Sequence, residues 1–271
     1  MESLKGKIKG WLPESALNGL RNIQDGIRRF PQDIEAYLHP IRQDTMRRLR
    51  HFHNRYEGKR CFIVGNGPSL NRTDLTKLRD EYTFGMNRIF LMFEELGFAT
   101  TFFVSMNDLV IEQSVNDIRN LEIPKFVNWR ARKWLEPQDN LYYLYATYAG
   151  PIFAKDARHR LWEGATVTYV ALQLAYFFGF SEVILIGVDH SFATKGEPNA
   201  TIVSEGDDPN HFHPKYFGKG FRWQLPDLET SEFAYSMAKQ AYEKAGRRVL
   251  DATVGGKLNI FPKVDYESLF K

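Results

Sequence analysis

The stretch Cys-Phe-Ile-Val-Gly-Asn-Gly-Pro-Ser-Leu, residues 61–70, decides the fold. Its first four residues suit a buried β-strand. Gly65 and Gly67 then allow φ values and a backbone closeness that a Cβ atom would forbid. Asn66 and Ser69 place hydrogen-bonding side chains at the carboxyl end of that strand, where ligands bind in open α/β sheets. The stretch therefore predicts a nucleotide- or phosphate-type site beside the first strand.

From residue 59 onward, short apolar runs alternate with helical segments. The pattern predicts strands at 61–64, 83–86, 101–105, 125–128, 183–186 and 249–250, and helices at 74–81, 89–96, 109–121, 166–178 and 227–246. Residues 129–163 are rich in aromatic side chains and show no clear period. Alternating strands and helices predict an α/β fold of modified Rossmann type, with a largely parallel sheet and helices on both faces.

Charge divides the chain into a predicted basic helical arm, residues 1–58, and a Rossmann-like catalytic domain, residues 59–271. Residues 1–60 contain 13 Lys and Arg against 7 Asp and Glu, whereas the remainder is mildly acidic. A basic arm is attracted to anionic surfaces, which predicts peripheral contact with the inner membrane. The arm is equally suited to pack on its own body or on a second subunit, and the latter predicts a homo-oligomer.

Composition narrows the class of protein. The single Cys61 excludes an intrachain disulfide and a multi-cysteine zinc site, which fits a reducing cytoplasm. We find no signal peptide and no window apolar enough for a membrane span, so the predicted location is cytoplasmic. Basic residues form no stripe with interleaved aromatics, so nucleic acid is not a predicted partner.

Four polar residues directly follow predicted strands: Asn66, Asn87, Asn107 and Asp189. Because the carboxyl ends of parallel strands meet at one edge of a sheet, we expect these side chains to share a crevice. Each of them alone is as consistent with an ordinary turn residue. The glycine turn lacks the G-x-G-x-x-G of a dinucleotide site and the lysine of a P-loop.

A long connection, residues 190–226, follows the last of these strands. Connections of this length in compact domains tend to be lids or binding loops. His190, His211 and His213 lie within it or at its start, and histidine is readily poised as a base near neutral pH. These histidines with Asp189, Asp207 and Asp208 are conceivable metal ligands, but their spacing matches no helix-borne metal motif.

These residues resemble a known superfamily. Residues 63–70 resemble the start of bacterial sialyltransferases, of motility-associated-factor glycosyltransferases and of the related 6-hydroxymethylpterin diphosphokinase MptE-like group. Further matches are Asn87, Asn107, the segment 164–167 and the segment 180–189. The resemblance covers about residues 59–255.

The resemblance to sialyltransferases implies roles for particular residues. His211 matches the general base of the lid, and Asp189 is a second catalytic candidate. The implied lid and substrate contacts are His190, Asn210, His213, Tyr216 and Lys219. The implied nucleotide contacts are Gly65, Asn66, Gly67, Ser69, Asn87, Asn107 and Thr166. No metal or other cofactor is required in that group.

One departure concerns the donor phosphate. The sialyltransferases hold it with tyrosines soon after the strand that ends at Asp189, and His190-Ser191-Phe192 stands there instead. Tyr216 or Lys219 would have to substitute for them.

The sequence thus predicts a metal-independent glycosyltransferase-like enzyme. It would move a sugar, such as a nonulosonate, from a CMP-activated nucleotide-sugar donor to a glycan or protein acceptor. The alternative is a pterin diphosphokinase using ATP and magnesium, for which Asp189, Asp207 and Asp208 would be the candidate metal ligands. A third reading is a non-catalytic nucleotide-binding protein.

Overall fold

The computed structural model describes residues 30–271 and centres on a seven-stranded sheet. Every pair of neighbouring strands in this sheet is parallel. Its strands are β1 (Arg60–Val64), β2 (Thr83–Met86), β3 (Phe102–Ser105), β4 (Lys125–Asn128), β5 (Leu141–Leu144), β8 (Glu182–Ile186) and β11 (Arg248–Asp251). Two short pairs lie outside it: β6 (Ala146–Thr147) with β7 (Leu161–Trp162), and β9 (Thr201–Val203) with β10 (Arg222–Gln224).

The α-helices that follow residue 39 are α1 (Pro40–Leu49), α2 (Phe93–Leu96), α3 (Asp108–Gln113), α4 (Val115–Asn120), α5 (Val167–Phe178) and α6 (Leu228–Lys244). Short 3-10 turns cover Pro68–Arg72, Leu75–Leu78 and Ile89–Met92. The predicted α/β fold of Rossmann type is confirmed.

The strand order is β11-β8-β1-β2-β3-β4-β5. From β1 the chain adds strands on one side as far as β5, and then crosses to add β8 and β11 on the other side. The order therefore reverses between β1 and β8, and ligands of open α/β sheets bind at such a switch point. The glycine turn at residues 65–67 lies directly at this point.

Alternation along β1 explains the two layers of the core. Cys61 and Ile63 point into one cluster, which contains α5 and the inner side of α6. Phe62 and Val64 point into the other, which contains α3, α4 and several aromatic residues of the 190–226 segment. Because parallel strands are buried on both faces, every residue of β1 after Arg60 is apolar.

Helix α5 is the central helix of the first layer. Ten of its twelve residues are buried, because it packs against β1, β2 and β3 on one side and α6 on another. Thr166 caps its N-terminus, where the Oγ1 accepts a hydrogen bond from the Thr168 amide, and Gly179 ends it in a left-handed conformation. The all-round apolar pattern of residues 166–178 correctly predicted a buried helix.

Several boundaries differ from the sequence-based expectation. Residues 74–81 form a 3-10 turn capped by Asp74 instead of a helix. The predicted helix 109–121 is two helices, α3 and α4, that meet at Ser114. Residues 129–163 contain β5, which the absence of a sequence period concealed.

Of the predicted arm, residues 1–58, the first 29 residues lie outside the described part of the chain. Its described part packs on the sheet: Leu49 and Phe52 join the first core cluster, and Phe52 stacks on Phe178 with ring centroids 4.7 Å apart. Arg48 donates hydrogen bonds to the carbonyl oxygens of Asp139 and Leu141. The predicted boundary at residue 58 therefore coincides with no structural separation. Within residues 30–271, no helix combines the length and the apolar character that a membrane crossing needs.

Candidate active site

A cavity of about 660 Å³ opens at the carboxyl edge of the sheet. The ends of β1, β2, β3 and β8 form its floor, and the N-termini of α5 and α6 and the 190–226 segment form its walls. Eleven of the residues predicted from sequence line it, namely Gly65, Asn66, Gly67, Asn87, Asn107, Thr166, Asp189, His190, Asn210, His211 and Tyr216. Ser69, His213 and Lys219 are not among its lining residues.

The glycine turn is shaped by close packing against the end of β8. The Gly65 amide donates to the Ile186 carbonyl at 2.7 Å, and the Gly67 amide donates to the Gly187 carbonyl at 2.9 Å. A Cβ atom on Gly65 would overlap the Gly187 carbonyl, and one on Gly67 would lie 2.5 Å from the Asp189 Cγ. The close approach of the Asp189 side chain, and not a positive φ, is the reason for glycine at residue 67, whose φ is −70°.

Ser69 and Asp189 fasten this turn. The Ser69 amide donates to Asp189 Oδ1 at 3.1 Å, and the Ser69 hydroxyl donates to Oδ2 at 2.6 Å. Ser69 is fully buried, so its position does not support the predicted direct contact with a nucleotide. Asp189 borders the cavity, and its carboxylate holds the turn; its catalytic role stays a prediction.

The three asparagines that follow β1, β2 and β3 do share the cavity, but their side chains differ in freedom. Asn107 caps α3 by accepting from the Leu109 amide, and its Nδ2 donates to Gln224. Asn87 accepts from the Ser105 hydroxyl at 3.0 Å. The Asn66 Oδ1 is buried and has no partner among the described residues. A buried acceptor without a donor costs free energy, which an N–H or O–H group of a ligand would recover.

The segment 190–226, here called the lid, contains regular secondary structure. Its strands β9 and β10 pair antiparallel. The Phe212 amide donates to the Asn66 carbonyl at 2.9 Å, and the Asn71 Nδ2 donates to the Phe212 carbonyl at 2.9 Å. The lid is therefore attached to the glycine turn at the residue next to His211.

His211 has the geometry of a general base. Its Nδ1 lies 2.7 Å from Asp208 Oδ2, and the Asp208 side chain is only 2% exposed. The same carboxylate accepts from the Phe217 and Asn210 amides at 3.0 and 2.8 Å. Because an ionised carboxylate only accepts, Nδ1 carries the proton and the lone pair of neutral His211 is on Nε2.

Stacking fixes the plane of the His211 ring. The Tyr216 ring lies parallel to it at 4.0 Å, and the Phe217 ring meets it edge-on at 4.8 Å. The Tyr216 hydroxyl accepts from the Arg88 amide, and burial raises the pKa of Tyr216. Tyr216 is thus a support for His211 more than a substrate contact.

The other predicted lid residues serve the lid itself or lie away from the cavity. Asn210 accepts from the Ala193 amide at 2.7 Å and donates to the Thr194 hydroxyl at 2.9 Å, so it ties the first residues of the lid to its middle. His213 accepts from the Lys215 amide, and Lys219 is exposed.

Sequence reasoning missed a partly buried charge cluster, which reaches the cavity through Glu163. Arg130 donates to both oxygens of Asp108 at 2.9 Å and to Glu163 at 3.1 Å, and Asn128 also donates to Glu163. Burial raises the pKa of Glu163, although the Arg130 guanidinium acts in the opposite direction. Residues 129–163 show no sequence period, so only the fold brings these groups together.

The carboxylates do not fit a protein-held magnesium ion. Asp189 is engaged by Ser69, Asp208 by His211 and two amides, and Asp227 by the amide and hydroxyl of Thr230. Over residues 30–271, no three His, Cys, Asp or Glu side chains meet in an arrangement that would hold a metal. The predicted alternative ligand set of Asp189, Asp207 and Asp208 is therefore not assembled.

Among solved structures, the chain is similar to the MAf glycosyltransferase from Magnetospirillum magneticum AMB-1. The TM-score is 0.49 and the sequence identity 13%, over 84% of this chain and 39% of that chain. This chain thus spans less than half of that protein, and we draw no functional conclusion from the likeness. Curated protein sequences give no significant match.

A family model, by contrast, matches residues 36–195, which is more than half of the chain. The matched span includes the glycine turn, the three strand-end asparagines and Asp189, and it stops before His211. On this match, the chain belongs to the 6-hydroxymethylpterin diphosphokinase MptE-like family.

Proposed function

We propose that this protein transfers a group from a nucleotide-activated donor to an acceptor hydroxyl, and that the donor is a CMP-activated sugar. The observation that carries the proposal is the His211–Asp208 pair, whose histidine lines a cavity at the switch point of a parallel sheet. A histidine held in one tautomer by a buried carboxylate is suited to remove a proton from an incoming hydroxyl. The acceptor would be a glycan or a protein side chain.

In this mechanism the glycine turn and Asn66 hold the nucleotide. The acceptor hydroxyl attacks the anomeric carbon while its proton moves to His211 Nε2. The bond from that carbon to the donor phosphate breaks, and its electron pair stays on the phosphate oxygen. The lid excludes water, which limits hydrolysis of the donor.

The matched pair His211→Ala and His213→Ala tests the base. We expect His211→Ala to keep nucleotide binding and to lose transfer by about two to four orders of magnitude, the usual contribution of a positioned base. His213 lies in the same segment but outside the cavity, so His213→Ala should transfer like the wild type. Rates are measured with a CMP-sugar donor, and wild-type turnover by His211→Ala would exclude this role.

A second candidate function is favoured by the family match. A 6-hydroxymethylpterin diphosphokinase moves a diphosphate from ATP to a pterin hydroxyl, so it too needs a base for an acceptor hydroxyl. Magnesium would supply charge neutralisation on the ATP phosphates. Because the cavity carboxylates are engaged, the ion would be bound mainly by the phosphates and water.

A thermal-shift panel separates the two functions. CMP, CTP, ATP, UDP and GDP are each tested with and without magnesium, since a ligand that binds the folded state raises the unfolding temperature. Stabilisation by CMP without magnesium supports glycosyl transfer, and stabilisation by ATP only with magnesium supports the diphosphokinase. No response to any nucleotide would contradict both functions and would favour a non-catalytic scaffold protein that kept the fold.

A further inference from the structure

The cavity contains a second histidine–carboxylate pair that the proposed mechanism does not use. His190 Nε2 lies 2.8 Å from Oε1 of Glu232, a residue of α6. The His190 side chain is 8% exposed and lines the same cavity as His211. Its Nδ1 makes no hydrogen bond within the described part of the chain, so this ring nitrogen is available to a ligand.

Backbone strain marks the same place. Five described residues other than glycine have a positive φ, and four of them line this cavity: Asn87, Ala165, His190 and Asn199. The φ of His190 is 54°. Such conformations cost free energy and cluster at functional sites. His190 lies at this strained position directly after Asp189, and Asp189 contacts the glycine turn.

The surroundings of His190 suit a negative charge. Tyr235 packs edge-on against the imidazole, with ring centroids 6.4 Å apart. The Tyr235 hydroxyl lies 3.3 Å from the hydroxyl of Thr166, the cap of α5. His190 and the N-terminus of this twelve-residue helix therefore share one end of the cavity. The positive end of the helix dipole favours anions there, and an imidazolium adds a full charge.

We propose that His190, as an imidazolium paired with Glu232, binds the phosphate of the nucleotide through Nδ1. The inference rests on the proposed function and assigns the second histidine to the leaving group. His190 transfers no proton in this scheme. It stabilises the charge that the phosphate gains when the bond to the transferred group breaks, while the acceptor proton goes to His211.

The test compares a nucleotide with its nucleoside, because only the former carries the phosphate. Affinities of CMP and cytidine, and of AMP and adenosine as a second pair, are measured by calorimetry for the wild type and for His190→Asn. Asparagine tolerates the left-handed backbone but carries no positive charge. A hydrogen bond to a charged group predicts that CMP binding weakens about ten- to hundredfold, and that cytidine binding changes less than about threefold.

His190→Ala is a second variant in case one of the two folds poorly, and His213→Ala is the matched control. Unfolding temperatures report the fold of each variant. Equal weakening of CMP and cytidine, or no weakening of CMP, would overturn the assignment of His190. A wild-type protein that binds none of the four ligands would overturn the proposed function itself, so the two failures are distinguishable.

Discussion

Two histidine–carboxylate pairs face one cavity, and they differ in how deeply the carboxylate is buried. Asp208 is 2% exposed and accepts hydrogen bonds from two backbone amides as well as from His211. Glu232 is 53% exposed and contacts His190 from the surface of α6. A buried, fully engaged carboxylate fixes a single tautomer, which a general base needs. An exposed carboxylate contributes charge that solvent screens. The difference fits the roles proposed for them, proton transfer for His211 and anion binding for His190.

Of the substitutions that distinguish the two histidine–carboxylate pairs, we expect Asp208→Asn to have the largest effect on the transfer rate. The asparagine would have to face its NH₂ group either toward the Asn210 amide or toward the Phe217 amide and His211 Nδ1. The first orientation opposes one donor, and the second opposes two donors and imposes the wrong tautomer on His211. We expect the transfer rate to fall by roughly two to four orders of magnitude with nucleotide binding retained.

The neighbouring Asp207 is exposed, so Asp207→Asn is the control and should leave the rate unchanged. A wild-type rate for Asp208→Asn would mean that the buried pair does not act in proton transfer.

Gly67→Ala is expected to disturb the other pair, His190 and Glu232, through the glycine turn. A Cβ here would displace the Asp189 carboxylate, and Asp189 precedes His190 in the chain. Overpacking of this kind costs typically 1–3 kcal/mol of unfolding free energy. We expect a loss of that size in denaturant unfolding, together with weaker CMP binding.

Gly206 provides the control, because a Cβ there would meet no atom within 4 Å. If Gly67→Ala were as stable as Gly206→Ala, the close packing of the turn on Asp189 would be incorrect.

The smallest effect is expected for Glu232→Gln. Exposed ion pairs contribute about 0–1 kcal/mol, so CMP affinity should fall by no more than about fivefold. Glu229→Gln on the same helix is the control, since Glu229 is exposed and makes no contact with His190. A loss as large as that of His190→Asn would show that the exposed pair depends on its carboxylate as strongly as the buried pair does.

The fold could be predicted wherever one residue pattern determined one structure. Residues 61–64 and 183–186 are apolar without interruption, as parallel strands require, and residues 166–178 are apolar on every face. Strand β5 was missed because its residues, Leu-Tyr-Tyr-Leu, lie in an aromatic stretch that has no strand period. The break between α3 and α4 at Ser114 also leaves no apolar signal.

The site was predicted in part. The shared cavity of the strand-end asparagines and His211 could be predicted, because parallel strands bring their carboxyl ends together and a connection as long as 190–226 tends to be a binding loop. The partner of His211 could not be predicted. Asp208 lies in a loop, and neither its burial nor its orientation follows from the spacing of residues in the sequence. The contact between Glu163 and Arg130 could not be predicted either, because only folding brings these two separate segments together.

The central claim is that the cavity between the glycine turn and His211 holds a nucleotide. The most direct measurement is a crystal structure with CMP, or with whichever nucleotide of the panel raises the unfolding temperature most. The account predicts the nucleotide beside Asn66, its phosphate against His190 and its activated end toward His211. A nucleotide bound elsewhere, such as the surface groove lined by Arg47, Arg50 and Arg158, with this cavity empty, would contradict it.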